Sequence, residues 1–277
     1  MALCVGGALG CSGAVLQGLL RNPLADPGLI GVSAGAALLA ALVILLSSEI
    51  FPLFFVEFGL WSVPLAGLCG GLGAVLVLYL FATRSGHTSI ATIILGGVAI
   101  SAFAGALTGI IVLAANDQTL RTISFWSLGS LAGASWVQLE VFLPFMLIGG
   151  ACMTRLPQGL NALQLGEAEA LHMGAPVETL KRLSLFAVAC LTGAAVSLSG
   201  IIGFVGLLVP HLARLGFTTD HRMVLPASAL LGAILLLLAD TLARTMMAPA
   251  ELPVGVVTSL IGAPCFFWFL LKRQGMS

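Results

Sequence analysis

Long apolar runs, separated by short polar stretches, make up most of this chain. Runs of about 18 or more apolar residues are long enough to cross a bilayer as helices. We predict nine such spans, at 1–20, 29–48, 63–82, 91–114, 136–154, 183–200, 201–217, 224–243 and 254–271. No charged loop separates the sixth span from the seventh, but Gly200 and Gly203 permit a tight turn there. The pattern predicts an all-α, polytopic membrane protein, a single transmembrane domain over 1–277.

Three segments between the apolar runs are not simple spans. Residues 49–62 are amphipathic and aromatic, which is typical of a loop at the membrane interface. Residues 115–135 are long enough for a short helix on the periplasmic surface. Residues 155–182 form the most polar stretch of the chain and are predicted to be a cytoplasmic loop.

A polar break between apolar runs, Arg21 to Ala36, begins with the string RNPLADPG. Two prolines, an amide and a carboxylate inside a lipid-facing helix would leave backbone groups without hydrogen-bond partners. The break is therefore either a loop at the membrane surface or part of the lining of a pathway.

Composition agrees with a membrane protein. Apolar residues make up 59% of the chain and charged residues 8%, against about 25% charged in soluble domains. The 34 glycines suit helices that pack closely through small residues. All six cysteines lie in apolar segments without a CxxC pair, so we predict neither a disulfide nor a metal site. A net charge of zero disfavours nucleic acid as a partner.

Basic residues indicate the orientation, because cytoplasmic loops are enriched in lysine and arginine. With the C-terminus in the cytoplasm, nine of the eleven basic residues are inside and only Arg121 and Arg244 are outside. An odd number of spans then places the N-terminus outside, although Met1 opens directly into an apolar run. We therefore expect a further span upstream, so that nine spans of an expected ten are visible here.

Five long strings resemble the permease subunits of bacterial ABC importers for iron-siderophores, haem and cobalamin, the FecCD family. They are SGAVLQGLLRNPLADPGLIGVSAGA (12–36), ILGGVAIS (94–101), LGEAEALHMGAPV (165–177), SGIIGFVGLLVPHLARL (199–215) and LADTLARTMMAPAELPVGVVTSLIGAPCFFWFLLKR (238–273). The resemblance implies a ten-span subunit in the inner membrane that forms a homodimer in lipid. Two cytoplasmic ATPase subunits would hold ATP and Mg²⁺, and a periplasmic binding protein would deliver the substrate.

The string at 165–177 predicts a short helix, with acids in its first turn and glycines on both sides. Leu165, Ala168, Leu171 and His172 would then face a groove of a partner. From the spacing alone, a solvated surface helix explains the segment equally well. The resemblance implies coupling to the ATPase, through Gly166, Glu167, Ala168, Leu171, His172 and Gly174.

The resemblance also implies a cytoplasmic gate at the polar break. Its residues would be Asn22, Pro23 and Leu24, together with Ser89, Ile90 and Ala91 at the start of another span. The alternative is an ordinary proline-rich turn whose asparagine and aspartate, Asp26, cap the next helix. Both roles are compatible.

The two outside arginines have different predicted roles. The resemblance implies that Arg244 docks the binding protein, whereas the alternative is a side chain that reaches the membrane surface. Arg121 lies in LRTISFWSLGSL, a string most similar to the haem permeases. An arginine near aromatic residues suits the propionates and the flat ring of haem, so we predict Arg121 in the substrate path.

Other polar residues of the spans are given structural roles. His211 follows Pro210 in a string shared with permeases that carry no haem, so we expect a structural hydrogen bond. Asp240 and Glu140 are acids at the membrane edge, where a proton relay is the less favoured interpretation.

We predict a permease that moves haem, with a ferric siderophore or cobalamin as the alternative substrate. The chain has no GxxxxGK[ST] loop, so ATP must be bound by a partner, and we expect no catalytic residue and no cofactor or metal on this chain.

Two other classes of membrane protein were considered. An ion-coupled secondary transporter would need ionisable residues at mid-membrane, and an intramembrane zinc protease would need HExxH. The acids cluster at span ends and the histidines are scattered.

Overall fold

A computed structural model of the chain describes residues 1–47, 59–246 and 252–274. The helices of the described residues are α1 (Ala2–Leu19), α2 (Val32–Leu45), α3 (Ser62–Ala82), α4 (Ile90–Ala114), α5 (Asp117–Ser127), α6 (Trp136–Met153), α7 (Pro157–Gln164), α8 (Glu167–His172), α9 (Val177–Ser199), α10 (Val205–Gly216), α11 (His221–Met246) and α12 (Val254–Gln274). Short 3₁₀ turns lie at Pro27–Ile30 and Gly59–Trp61, and two strands, β1 (Thr83–Arg84) and β2 (His87–Thr88), pair as a hairpin.

The predicted all-α membrane class is confirmed. Among the described residues, six helices (α1, α3, α4, α6, α9 and α11) are long and apolar enough to cross a bilayer, and α2, α10 and α12 contain shorter apolar segments. Each coincides with one of the nine predicted apolar runs. The predicted interface loop at 49–62 lies mostly outside the described residues.

Helices α1 and α9 form the centre of the bundle and are its most buried long helices. They pack against each other; α1 also packs on α10 and α11, and α9 packs on α3 and α6. Close approach depends on small residues: a Cβ atom at Gly6 or Gly10 of α1 would collide with the backbone of α11 at Gly232 or Ser228. No such neighbour faces Gly105 in α4.

The predicted helix at 201–217 is wrong at its beginning. Gly200 and Phe204 have φ angles of +70° and +67°, which end α9 and delay the start of α10 until Val205. At this break the Ser199 carbonyl accepts a hydrogen bond from the backbone N–H of Ser130 at 2.7 Å. The twelve residues of α10 extend about 18 Å, less than the roughly 30 Å of a bilayer core.

The predicted loop at 155–182 is also more structured than expected. Besides the predicted short helix, which is α8, it contains a second helix, α7, and α9 begins at Val177 rather than at 183. Lys181 and Arg182 are therefore helical residues, and only Arg182 is exposed. The reason is amphipathic patterning: Leu160 and Leu163 of α7 are fully buried against the bundle while polar neighbours face outward.

The polar break after α1 folds into two successive turns. The side-chain oxygen of Asn22 accepts a hydrogen bond from the backbone N–H of Leu24 at 2.9 Å. Asp26 Oδ1 then accepts from the N–H of Gly28 at 2.8 Å, which confirms that Asp26 caps the next turn. The cap serves the 3₁₀ turn Pro27–Ile30, so α2 begins at Val32, later than the predicted span at 29–48.

Candidate functional site

The short helix α8 carries an exposed, mainly apolar surface at one end of the bundle. Leu165, Leu171 and Met173 are 67%, 57% and 56% exposed, and Ala168 and His172 are exposed beside them. We call these five residues the coupling patch, after the role that was predicted for this segment. Large apolar side chains that share one surface are typical of a binding site for another protein.

Glycines set the two ends of α8, as the sequence indicated. Gly166 precedes the helix with a φ of +129°, and Gly174 follows it with a φ of +78°. Other residues rarely adopt such angles. Ala170, on the inner face of the same helix, is fully buried. The α8 turn is therefore held against the bundle while the coupling patch faces away from it.

Lys181 lies beneath α8 and is only 1% exposed. Its Nζ donates to Glu167 Oε1 at 2.5 Å, to Glu178 Oε1 at 3.0 Å and to the backbone carbonyl of Thr88 at 2.7 Å. An ammonium group has three protons to donate, and all three are used here. One buried cation thus joins α8, the first turn of α9 and the end of the hairpin.

The hairpin leads directly into the predicted gate residues of α4. Thr83 pairs with Thr88 and Arg84 with His87 around a turn at Ser85 and Gly86. The next residue, Ser89, caps α4 by accepting a hydrogen bond at Oγ from the N–H of Thr92 at 3.2 Å. Ser89 and Ala91 are exposed and Ile90 is half-buried.

The other group of predicted gate residues, in the polar break, is also at the surface. Pro23 and Leu24 are exposed and Asn22 is half-buried. The 3₁₀ turn that follows packs on α4, where the Leu29 carbonyl lies against Gly97. Gly97 is about two helical turns beyond Ser89. The two groups of predicted gate residues are therefore each close in sequence to the contact between this turn and α4, and their role as a gate stays a prediction.

Side-chain amides of α7 form hydrogen bonds with residues at the start of α11. Asn161 Nδ2 donates to Asp220 Oδ1 at 2.6 Å, and its Oδ1 accepts from the backbone N–H of His221 at 2.9 Å. Gln164 Nε2 lies 3.0 Å from Nδ1 of the same histidine. The backbone N–H of Arg222 and the Asn161 amide hold the pKa of Asp220 below its ordinary value.

A cavity of about 280 Å³ with several polar side chains in its lining lies between α1, α7, α10 and the start of α11. His211 lines it together with Gln17, Arg214 and His221. Arg214 donates from Nη1 to Gln17 Oε1, and the Gln17 amide donates to the carbonyl of Gly206 at 3.2 Å. The hydrogen bond expected at His211 stays a prediction.

The two arginines that were predicted outside differ in their surroundings. Arg244 donates from Nε to Asp240 Oδ2 at 3.0 Å and from Nη2 to the carbonyl of Leu131 at 3.1 Å, with 46% of its side chain exposed. Arg121 lies on the exposed face of the amphipathic helix α5, one turn before the exposed Phe125.

The aromatic pair next to Arg121 is divided between two faces. Phe125 is 59% exposed, whereas Trp126 packs inward with Ile123 against α2 and α4. The Trp126 ring also faces Gly67 of α3. An arginine and one aromatic ring, rather than two, are therefore available on this surface for a ligand.

Sequence reasoning missed several residues that build this site. Met173 belongs to the coupling patch, and the Ser85–Gly86 pair between two short threonine-containing segments was a readable hairpin signal. Lys181 gave no signal beyond its position three residues after Glu178. Its burial depends on residues 88 and 167, which no local pattern connects to it.

Comparison with known proteins agrees with this architecture. The chain matches the FecCD transport family over residues 1–272. It is 46% identical to the hemin transport system permease protein HmuU of Yersinia pestis over 99% of this chain and 80% of that protein. It is 42% identical to the cobalamin import system permease protein BtuC of Halobacterium salinarum over 98% of this chain and 70% of that protein.

A solved structure is similar throughout. A metal-chelate type ABC transporter in an inward-facing conformation superimposes with a TM-score of 0.88 at 34% identity, covering 98% of this chain and 83% of that one. These matches set aside the ion-coupled transporter and the intramembrane protease. With the buried α1–α9 centre, the exposed α8 and full-length sequence similarity in agreement, the chain belongs to the FecCD transport family and is a membrane-spanning permease of an ABC importer.

Proposed function

We propose that this permease imports haem. The observation that carries the proposal is the placement of Arg121 and Phe125, both exposed, one turn apart on α5. A guanidinium group binds carboxylates such as the haem propionates in a planar, bidentate way, and an aromatic ring packs on a flat apolar ligand. The 46% identity to a hemin permease supports the same substrate.

The permease works as a homodimer with two ATPase subunits in the cytoplasm and a binding protein in the periplasm. ATP and Mg²⁺ are held by the ATPases, and the coupling patch fits into a groove on their surface. The exposure of Leu165, Leu171 and Met173 supports this contact. Closure of the ATPases moves α8, and the gate residues of the polar break and of α4 alternate between open and closed.

Orientation and docking follow from the same proposal. The C-terminus lies in the cytoplasm, and the end of the bundle that carries α5 and Arg244 faces the periplasm. A glutamate of the binding protein pairs with the exposed part of the Arg244 guanidinium. Exposed pairs contribute about 0–1 kcal/mol, so this contact sets the docking register more than the affinity.

A ferric siderophore or cobalamin is the second candidate substrate. The 42% identity to a cobalamin permease and the similarity to a metal-chelate transporter favour it. Neither substrate has a pair of propionates on a flat ring. Dependence of import on Arg121 therefore favours an anionic substrate such as haem over cobalamin, and the comparison of haem with a siderophore is made by direct uptake.

The test is import into proteoliposomes that contain the permease with its ATPase and binding protein. Uptake of haem, a ferric siderophore and cobalamin is compared at equal concentration, with and without ATP. ATP-dependent uptake of haem alone is the expected result. Uptake of a siderophore or cobalamin in preference to haem would reject haem as the substrate. ATP-dependent uptake would still support the ABC importer mechanism.

A further inference from the structure

We propose that Lys181 is a positioning residue that transmits movement of α8 to the gate end of α4. This inference rests on the proposed function of the coupling patch. It concerns how movement of α8 reaches the gate end of α4. Neither membership of the family nor the exposure of the coupling patch explains this step.

The contacts of Lys181 close a hydrogen-bonded ring between α9 and the hairpin, and one further bond attaches α8 to this ring. Nζ holds Glu167 in the first turn of α8 and the carbonyl of Thr88 at the end of the hairpin. Glu178 completes the ring, because Oε1 accepts from Lys181 at 3.0 Å and Oε2 accepts from the backbone N–H of Thr88 at 2.8 Å. A histidine, His87, lies at the edge of this group, with Nδ1 at 3.9 Å from Glu178 Oε1.

Burial makes this ring a stiff connection. A lysine that is 1% exposed cannot exchange its partners for water, and an unpaired charge in that position is strongly unfavourable. When Glu167 moves, Lys181 must follow it or lose the contact. Because Nζ also holds Thr88, the hairpin moves with it, and Ser89 is the next residue along the chain.

A hydrogen-bonded cation suits this task better than apolar packing. Apolar surfaces resist separation but slide past one another, since the hydrophobic effect has no preferred direction. Charge-assisted hydrogen bonds depend on both distance and angle. The Lys181–Glu167 bond therefore resists both pulling and sliding of α8, and the ring passes this resistance to the hairpin.

A purely structural role predicts a different behaviour. If Lys181 only stabilised the fold, its loss would lower the amount of assembled complex, and ATP hydrolysis and import would fall together. If Lys181 transmits movement, its loss changes the number of substrate molecules imported per ATP hydrolysed. This ratio is the readout that separates the two roles.

The experiment uses the complete permease–ATPase complex in proteoliposomes with its binding protein. Lys181→Met removes the cation, Lys181→Arg keeps it, and the exposed neighbour Arg182 supplies the control Arg182→Met. We expect Lys181→Met to lower the import-to-ATP ratio at least ten-fold, Lys181→Arg to recover part of it, and Arg182→Met to match the wild type. An unchanged ratio in Lys181→Met would overturn the proposal.

A second pair of variants covers the case in which Lys181→Met fails to assemble. Glu167→Ala breaks only the bond to α8 and leaves Lys181 paired with Glu178 and Thr88. Glu169→Ala, in the same turn and exposed, is its matched control. A lowered ratio in Glu167→Ala but not in Glu169→Ala supports the proposal, and equal ratios in both contradict it.

A readout without substrate distinguishes failure of this inference from failure of the proposed function. Spin labels at Ser85→Cys, in a background without the native cysteines, report the distance between the two hairpins of the dimer. We expect vanadate-trapped ATP to change this distance in the wild type, and Glu167→Ala or Lys181→Met to abolish the change. A nucleotide-dependent change that persists in both variants overturns the inference, whether or not haem is the substrate.

Discussion

Asn161 and Asp220, 59 residues apart in sequence, are joined side chain to side chain at 2.6 Å. The same asparagine accepts from the backbone N–H of His221, so α7 is bonded to the first residue of α11. Besides its apolar packing, the segment that carries the coupling patch is therefore attached to the bundle by polar side chains at two places, at Lys181 and at the start of α11.

Asn161→Asp tests the attachment at α11. The change replaces a donor by a second carboxylate beside Asp220, and like charges at this distance repel. We expect a loss of stability, seen as a lower unfolding temperature of the purified permease. Gln158→Asp, exposed on the same helix, is the control. Equal unfolding temperatures for the two variants would contradict the attachment.

Replacing Ala168 and Leu171 together by aspartate tests the coupling patch. Both residues are exposed, so the spans should still fold, but an interface with the ATPase would then bury unpaired charges. We expect loss of substrate-stimulated ATP hydrolysis and weaker co-purification of the ATPase. The matched change to serine and methionine should retain both. Normal complex formation and hydrolysis in the aspartate variant would remove α8 from the interface.

Arg121→Ala tests the substrate path. A charge-assisted contact contributes about 1.5–3 kcal/mol, so haem import should slow about ten-fold or more. Arg121→Lys should recover only part, because an ammonium group lacks the planar fork. Gln118→Ala, exposed on the same helix, should import haem normally. Unchanged haem uptake by Arg121→Ala in proteoliposomes would exclude Arg121 from the path.

Arg244→Ala tests docking of the binding protein. Loss of an exposed ion pair of about 1 kcal/mol should weaken docking by about five-fold at low salt and less at high salt. Asp240→Asn releases Arg244 from its internal partner and should leave docking as strong or stronger. Docking affinity is measured with the purified binding protein and the permease in nanodiscs. Equal affinity for wild type and Arg244→Ala would assign the arginine a purely structural role through Leu131.

Gly6→Ala tests the crossing of α1 and α11. A Cβ at Gly6 would collide with the Gly232 carbonyl, so the helices must separate, at a cost of about 1–3 kcal/mol. Gly150→Ala in α6 meets no neighbouring atom and should be neutral or slightly stabilising because alanine favours helix. Thermal unfolding in detergent compares the two. An unchanged unfolding temperature for Gly6→Ala would show that α1 and α11 can move apart without loss of stability.

Much of the fold was readable from the sequence because a bilayer imposes a simple rule. Every backbone group in lipid must be paired within its own helix, so long apolar runs correspond to helices. The exposed α8 with its flanking glycines and the cap at Asp26 were readable for a different reason: each depends on residues only a few positions apart in the sequence. The break at Gly200 was readable as a turn, but not the late start of α10 at Val205, which depends on Phe204.

By itself, the order of apolar and polar residues determined the helical class, the apolar segments and the family resemblance, because these depend on local pattern and composition. Only the tertiary structure decided that Lys181 is buried and that it joins Glu167, Glu178 and Thr88. The physical reason is distance along the chain. Residues 88 and 181 become neighbours only when the hairpin packs on α9, and no local propensity specifies that contact.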